Sequence, residues 1–233
     1  MDIFLNSKTF ILALSLLFTT LAQASTCNKV VAEKKQLMCL QVSVLSHTDK
    51  ALSGMVVYLE PLGGQVLTKN TNTLTIAQHN KSFEPYLSIS QVNQQVNFEN
   101  KDDITHHIYS AGSEHKFSFK IRTGKTSANL VFEKPGEIAM GCNIHDWMSG
   151  YLLLLNTPYF AKTNAQGLAE FTVSEQGRYR VVVWHPQMQA ANNRMEVSQQ
   201  LTGNDKVSFS LDKAMQAIPK QESDDDFDFL SDY

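Results

Sequence analysis

Apolar and polar residues alternate with period two in stretch after stretch of this chain, and beyond its first residues no long segment keeps a helical period. Leu40, Val42 and Val44 are interleaved with Gln41 and Ser43. Phe117, Phe119 and Ile121 are interleaved with Ser118 and Lys120, and Val207, Phe209 and Leu211 with Ser208 and Ser210. Alternate side chains of a strand point to opposite faces, so this pattern predicts half-buried strands. Turn chemistry separates the runs, at Gly63-Gly64, Lys134-Pro135-Gly136 and Asn164-Ala165-Gln166-Gly167. Short strands punctuated in this way predict an all-β sandwich.

The two ends read differently. After Lys8, the apolar stretch Phe10 to Leu21 runs into Ala22-Gln23-Ala24, a small-x-small pattern of the kind signal peptidase accepts. Residues 1–24 are therefore expected to be a cleaved signal peptide, being too short an apolar run for a membrane span. With cleavage the chain is not membrane-spanning, and a periplasmic location is expected. At the other end, residues 213–233 lose the strand pattern and finish in Glu222 to Tyr233, read as a disordered acidic tail. Lys plus Arg is 20 against 23 for Asp plus Glu, which leaves no positive surplus for a phosphate backbone and argues against nucleic acid.

An oxidising compartment makes the three cysteines informative. Cys27 and Cys39 could close a small loop near the amino terminus of the exported chain, which leaves Cys142 over. Its neighbours are Gly141-Cys142-Asn143-Ile144-His145-Asp146-Trp147-Met148, a thiol, an imidazole and a thioether within seven residues. Such soft or borderline donors suit copper. Ile138, Met140 and Cys142 share parity, so Cys142 should end a strand facing inward, with His145 and Met148 on the turn beyond it. A fourth donor is available upstream, where a strand ending near Asn100 is followed by an acidic turn and by His106-His107 entering a second strand. Adjacent strand residues face opposite ways, so only one of the pair can reach the metal. His106 is the choice, with His107 the alternative. The Asn143 amide is a candidate hydrogen-bond donor to the sulfur. His47, His79, His115 and His185 fall outside the pattern and read as surface or satisfied histidines, and Trp147 as packing over the loop.

This arrangement resembles the cupredoxins, the small blue-copper proteins, and its ligand loop is similar to that of amicyanin. The text from Asn100 to Tyr109, Glu133-Lys134-Pro135-Gly136 and Cys142 to Met148 looks like the periplasmic plastocyanin-like proteins labelled methylamine-utilisation proteins. The resemblance covers roughly residues 75–155. It implies an eight-stranded Greek-key sandwich holding one type 1 copper ion on His106, Cys142 and His145, with Met148 as the weak axial ligand. Where many cupredoxins have Asn after the first histidine, this chain has His107. Residues 40–61 and 163–185 resemble the opening and closing strands of a carboxypeptidase-regulatory-like, transthyretin-type sandwich. The copper unit at 75–155 is therefore expected to be inserted into a second sandwich made of 40–74 and 156–212.

The function expected is a periplasmic carrier of single electrons between redox protein partners. Two imidazoles and a thiolate capped by a thioether suit both copper oxidation states, and binding should weaken as pH falls and the ligands reprotonate. Copper storage or delivery without redox turnover, and a metal-free interaction module, are the alternatives. An enzyme is the weaker class. The chain has no His-x-His pair for a catalytic copper, no Gly-x-Ser-x-Gly elbow, no His-Glu-x-x-His helix and no phosphate-binding glycine loop.

Overall fold

The computed structural model describes residues 37–126 and 130–221. The expected signal peptide, Cys27 and the acidic tail from residue 222 lie outside the described residues. Cys39 is disulfide-bonded, and Cys142 is a free, buried cysteine.

The described chain is all-β apart from one short 3-10 turn at Ala191–Asn193. Its strands are β1 (Met38–Leu45), β2 (Val56–Pro61), β3 (Leu74–His79), β4 (Ser82–Glu84), β5 (Leu87–Gln91), β6 (Gln95–Asn100), β7 (His106–Ala111) and β8 (Ser118–Ile121). They continue as β9 (Leu130–Val131), β10 (Gly136–Cys142), β11 (Ser149–Leu155), β12 (Phe160–Lys162), β13 (Leu168–Val173), β14 (Gly177–Trp184), β15 (Arg194–Leu201) and β16 (Asn204–Ser210).

Four sheets result, with orders β13-β1-β16, β12-β2-β14-β15, β5-β11-β10-β7-β8 and β4-β3-β6-β9. The first two draw only on strands before residue 62 and after residue 159, and share one apolar core that includes Leu40, Val42, Val57, Leu59, Phe171, Val181 and Val183. The last two draw on everything between, and share a second core that includes Ile76, Phe98, Ile108, Met140, Cys142, Leu152 and Leu154. Among the described residues this middle stretch has nine strand segments rather than eight, among them the short β4 and β9 at the two edges of one sheet.

A third core joins the two pairs of sheets. Val56, Tyr58, Val182 and Trp184 from β2 and β14 pack with Leu87, Leu153 and Leu155 from β5 and β11. Strands β2, β11 and β14 are thus covered on both faces, and their sequences change character accordingly. Val56-Val57-Tyr58-Leu59, Leu152-Leu153-Leu154-Leu155 and Val181-Val182-Val183-Trp184 are continuously apolar, and every one of these residues is buried. Period two persists within each run, but odd and even positions now feed different cores. Continuous apolar strands are what two-sided burial produces.

Three hydrogen bonds cross this junction. Trp184 Nε1 donates to Glu137 of β10 at 2.7 Å, Gln187 Nε2 donates to the Tyr86 hydroxyl at 2.7 Å, and the Lys162 ammonium donates to the Leu87 carbonyl. One turn of the outer sandwich shows why glycine is required. Gly167 sits at φ +71°, and a Cβ there would lie 2.6 Å from the Val44 carbonyl oxygen.

His185 lies just beyond β14 with 7% exposure, its Nδ1 accepting the Gln187 amide at 3.2 Å. Burial, and then the charge of Lys162, push its pKa down to about 4. The unfolded chain therefore takes up a proton as pH falls through about 6.5, while the folded chain does not do so until about 4. Folding stability should decline across that window, the share due to this residue being on the order of 2 kcal/mol. His185→Gln should flatten the decline. Denaturant unfolding of both forms at pH 7 and pH 4.5 checks this.

Candidate metal centre

Two local features bring the donors together. Strand β10 runs inward-facing at Ile138, Met140 and Cys142, all at most 3% exposed, and ends at the cysteine. It pairs with β7 in a register that sets Cys142 opposite Ile108, so the start of β7 reaches the same end of the sheet. Ile108 is fully buried in the inner core, and His106 shares its parity. The β10–β11 connection then carries Ile144 to Met148 back over that end, closed by the Gly141–Ser149 pair.

The result is a cluster of His106, Cys142 and His145 whose donor atoms all lie within 4.8 Å of one another. Both imidazoles present Nδ1 to the sulfur, each at 3.8 Å. The three residues are 0%, 3% and 7% exposed. Bonds of about 2.0 Å to nitrogen and 2.3 Å to sulfur, set 120° apart, place the donors about 3.7 Å from each other. The observed sulfur–nitrogen spacings of 3.8 Å are therefore those of donors that could hold a metal ion with little adjustment. Met148 is 1% exposed and belongs to the same core as Cys142, and its N–H donates to the His145 carbonyl at 3.0 Å.

Of the adjacent pair, His106 joins the cluster and His107 does not. The His107 ring faces the other way, with Nε2 2.9 Å from Ser118 Oγ and Nδ1 3.1 Å from the Asn143 side-chain amide. The remaining histidines stay outside. His47 is exposed and His79 half-buried, the latter 3.2 Å from Glu84. His185 is buried at the sandwich junction, and His115 packs edge-on against Phe132 with Nε2 buried and unpartnered. Trp147 stacks at 5.2 Å from the His145 ring, itself 5.2 Å from the His106 ring.

Sequence reasoning missed Asp102. Its carboxylate lies 2.7 Å from His106 Nε2, so the imidazole carries its proton on Nε2 and leaves the Nδ1 lone pair facing the cluster. Asp102 is in turn held by the amides of Asn80 at 2.6 Å and Lys81 at 2.9 Å. Both of those residues have positive φ in the β3–β4 turn. Asn100 shapes the loop between, accepting the Asp102 amide and donating to the Ile104 and Ile121 carbonyls. The local signal was an acidic residue four positions before the histidine.

The expected sulfur donor is corrected. The Asn143 N–H is spent on the His107 carbonyl at 2.9 Å, where it extends the β7–β10 pairing. The backbone N–H groups of Ile144, His107 and His145 face the sulfur instead. Burial pushes the Cys142 thiol up, but His106 and these amides outweigh it and bring it down to about 7. Burial pulls the His106 pKa down, yet Cys142 and then Asp102 raise it on balance. Asp102 is held low, its burial outweighed by the Lys81 amide, His106 and the Asn80 amide. Burial, and then the charges of His106 and Lys81, lower the pKa of His145.

No protein-family model matches the chain, and no curated protein sequence matches it. Among solved structures, a copper-containing nitrite reductase from Thermus scotoductus SA-01 is 22% identical over 41% of this chain, with a TM-score of 0.34. This chain spans 25% of that one. A purple cupredoxin from Nitrosopumilus maritimus is 22% identical over 35% of this chain and 98% of its own, with a TM-score of 0.32. An oxidised point mutant of amicyanin is 17% identical over 35% of this chain and 81% of its own, with a TM-score of 0.33. All three are partial likenesses.

His106→Ala should abolish copper retention against a competing chelator, whereas His107→Ala should keep it within a few fold. Asp102→Asn, which keeps the shape and loses the charge, should weaken retention about 10–100-fold. Equal losses for His106→Ala and His107→Ala would contradict the assignment.

Proposed function

We infer that this chain is an exported type 1 copper protein that carries single electrons between redox partners, holding one ion on His106, Cys142 and His145 with Met148 as the weak axial donor. The observation that carries this reading is the buried convergence of two Nδ1 atoms and one Sγ at 3.8 Å spacings. Copper, when bound, supplies one-electron exchange. What the protein contributes is a site prepared in advance. Asp102 fixes the tautomer of His106, three backbone N–H groups stabilise sulfur as thiolate, and burial disfavours the imidazolium of His145. Ligands held before and after exchange by the same sheet and loop have little to rearrange.

Burial also favours electron carriage over metal delivery. Handing an ion to another protein requires the recipient's ligands to reach it, and here no cluster residue exceeds 7% exposure. Electrons need no such access. In this reading the copper unit is residues 75–155, inserted into the sandwich formed by 40–74 and 156–212. The shared core of the flanking strands supports that division. Export rests on the sequence of residues 1–24, and among the described residues no helix is long and apolar enough to cross a membrane.

The copper-loaded protein should show an intense visible sulfur-to-copper charge-transfer band and a reversible one-electron potential, and Cys142→Ser should lose the band. Tight Cu(I) binding with no band on oxidation would favour storage or delivery. Copper binding must displace any proton on Cys142, which titrates near 7. Proton release per copper should therefore rise from pH 8 to pH 6, and affinity should fall over the same interval. Calorimetric titration in buffers of different ionisation enthalpy measures both.

A further inference from the structure

Gln78 of β3 is fully buried, and it shares the inward parity of Ile76, which belongs to the core that also holds Cys142 and Met148. Its Nε2 donates to the Ile76 carbonyl at 3.2 Å. Its Oε1 is buried and has no hydrogen-bond partner among the described residues. A carbonyl oxygen in that position has lost its hydration without replacement, so some other interaction must offset the cost.

The strands on either side fix what Gln78 faces. It pairs with Phe83 of β4 and with Asn100 of β6. Across the core, Phe83 lies against Gly150 of β11, where an added Cβ would come within 3.0 Å of the Phe83 Cβ. Asn100 Nδ2 donates to the Ile121 carbonyl of β8 at 3.0 Å. Gly150 is paired with Met140, and Ile121 with His106. In one sheet β3 lies between β4 and β6, and in the facing sheet β10 and β7 lie between β11 and β8. Gln78 therefore lies over the ends of β10 and β7 that carry Cys142 and His106. Its backbone is held as firmly as theirs. The Gln78 carbonyl accepts the Lys101 amide at 2.8 Å, and the turn that follows holds Asp102.

We propose that Gln78 is a further donor to the ion, its Oε1 being a hard oxygen from the facing sheet that favours Cu(II) over Cu(I). This rests on the copper reading of the cluster. An amide oxygen carries the negative end of its dipole, and a bound metal ion supplies the positive centre that the unpartnered oxygen lacks. Carbonyl oxygen suits harder cations and thioether sulfur suits Cu(I). Gln78 and Met148 thus pull the preference for oxidation state in opposite directions, and the amide sets how readily the site gives up its electron.

The test compares the wild-type chain with Gln78→Leu, which removes the donor, and with Gln78→Met, which keeps the length and replaces oxygen by sulfur. Each is titrated with Cu(I) against bicinchoninate and with Cu(II) against a competing chelator. Both variants should lose Cu(II) affinity at least about tenfold and Cu(I) affinity no more than about threefold. Each tenfold fall in the ratio of Cu(II) to Cu(I) affinity raises the one-electron potential by about 59 mV. Paramagnetic resonance of the Cu(II) forms should show an altered copper hyperfine splitting. Without metal, Gln78→Leu should be at least as stable to denaturant as wild type, since the unsatisfied oxygen is gone, whereas Cu(II) should stabilise it less. An unchanged affinity ratio with unchanged splitting in both variants would overturn the proposal, as would equal losses of Cu(I) and Cu(II) affinity, the mark of a packing role. A wild-type chain without the charge-transfer band, whose variants still lose Cu(II) affinity selectively, would overturn the electron-carrier reading and leave Gln78 standing as a donor.

Discussion

Two sheets in the middle of this molecule are packed on both faces, and the geometry of the metal end follows from that. The sheet containing β10 and β11 packs Leu152 and Leu154 into one core and Leu153 and Leu155 into another. Each such side chain contributes about 1.5–3 kcal/mol by leaving water, so sliding the hairpin by one residue would exchange its two sets of contacts and strand Glu137 away from Trp184. The loop from Cys142 to Met148 hangs from the end of this hairpin and inherits its fixed base. The outer sandwich buttresses the sheet containing β10 and β11 from its far face. It therefore stiffens the base of the loop without covering Ile144.

Within that frame the site resolves a conflict between burial and charge. A dry pocket disfavours a thiolate, and the Cys142 sulfur is nearly inaccessible. The opposing contributions come from a chain of partners running outward from His106 to Asp102 and then to the amides of the β3–β4 turn. The left-handed backbone at Asn80 and Lys81 turns both amides toward one carboxylate. Asparagine adopts that conformation at little cost, whereas lysine does so less readily. The turn at residues 80–81 is therefore a distant but direct support of a histidine 25 positions on.

What was legible in the sequence was whatever depended on strand parity or short spacing. Cys142 facing inward at the end of a strand follows from Ile138 and Met140, and parity alone places His106 and His107 on opposite faces. What was hidden depended on which backbone groups were already occupied. The Asn143 amide looked free to face the sulfur because nothing local shows that β7 and β10 extend their pairing far enough to claim it. Asp102 sat in plain view as part of an acidic turn, but its role needs Asn100 to fold the loop back and residues 80–81 to hold the carboxylate. The third core was half visible. Continuous runs at Val56–Leu59 and Val181–Trp184 signal two-sided burial, yet a run does not say against which segment its second face will pack.

The ligand loop is short, and its shortness has a mechanical meaning. With two residues between Cys142 and His145 and two between His145 and Met148, the chain has no slack to move one donor alone. The Met148 amide is bound to the His145 carbonyl, and the next residue, Ser149, is already in register with Gly141. Displacing His145 would therefore pull on Met148 and on the first pair of the β10–β11 ladder, whose next rung, Met140–Gly150, is buried. The same ladder end holds Gln221 through the Ser149 amide. A force on the loop would be resisted by the hairpin, the two cores behind it and the segment ending at Gln221 together. In the electron-carrier reading proposed for this site such resistance is an advantage, since any movement of the donors between oxidation states adds to the barrier for transfer.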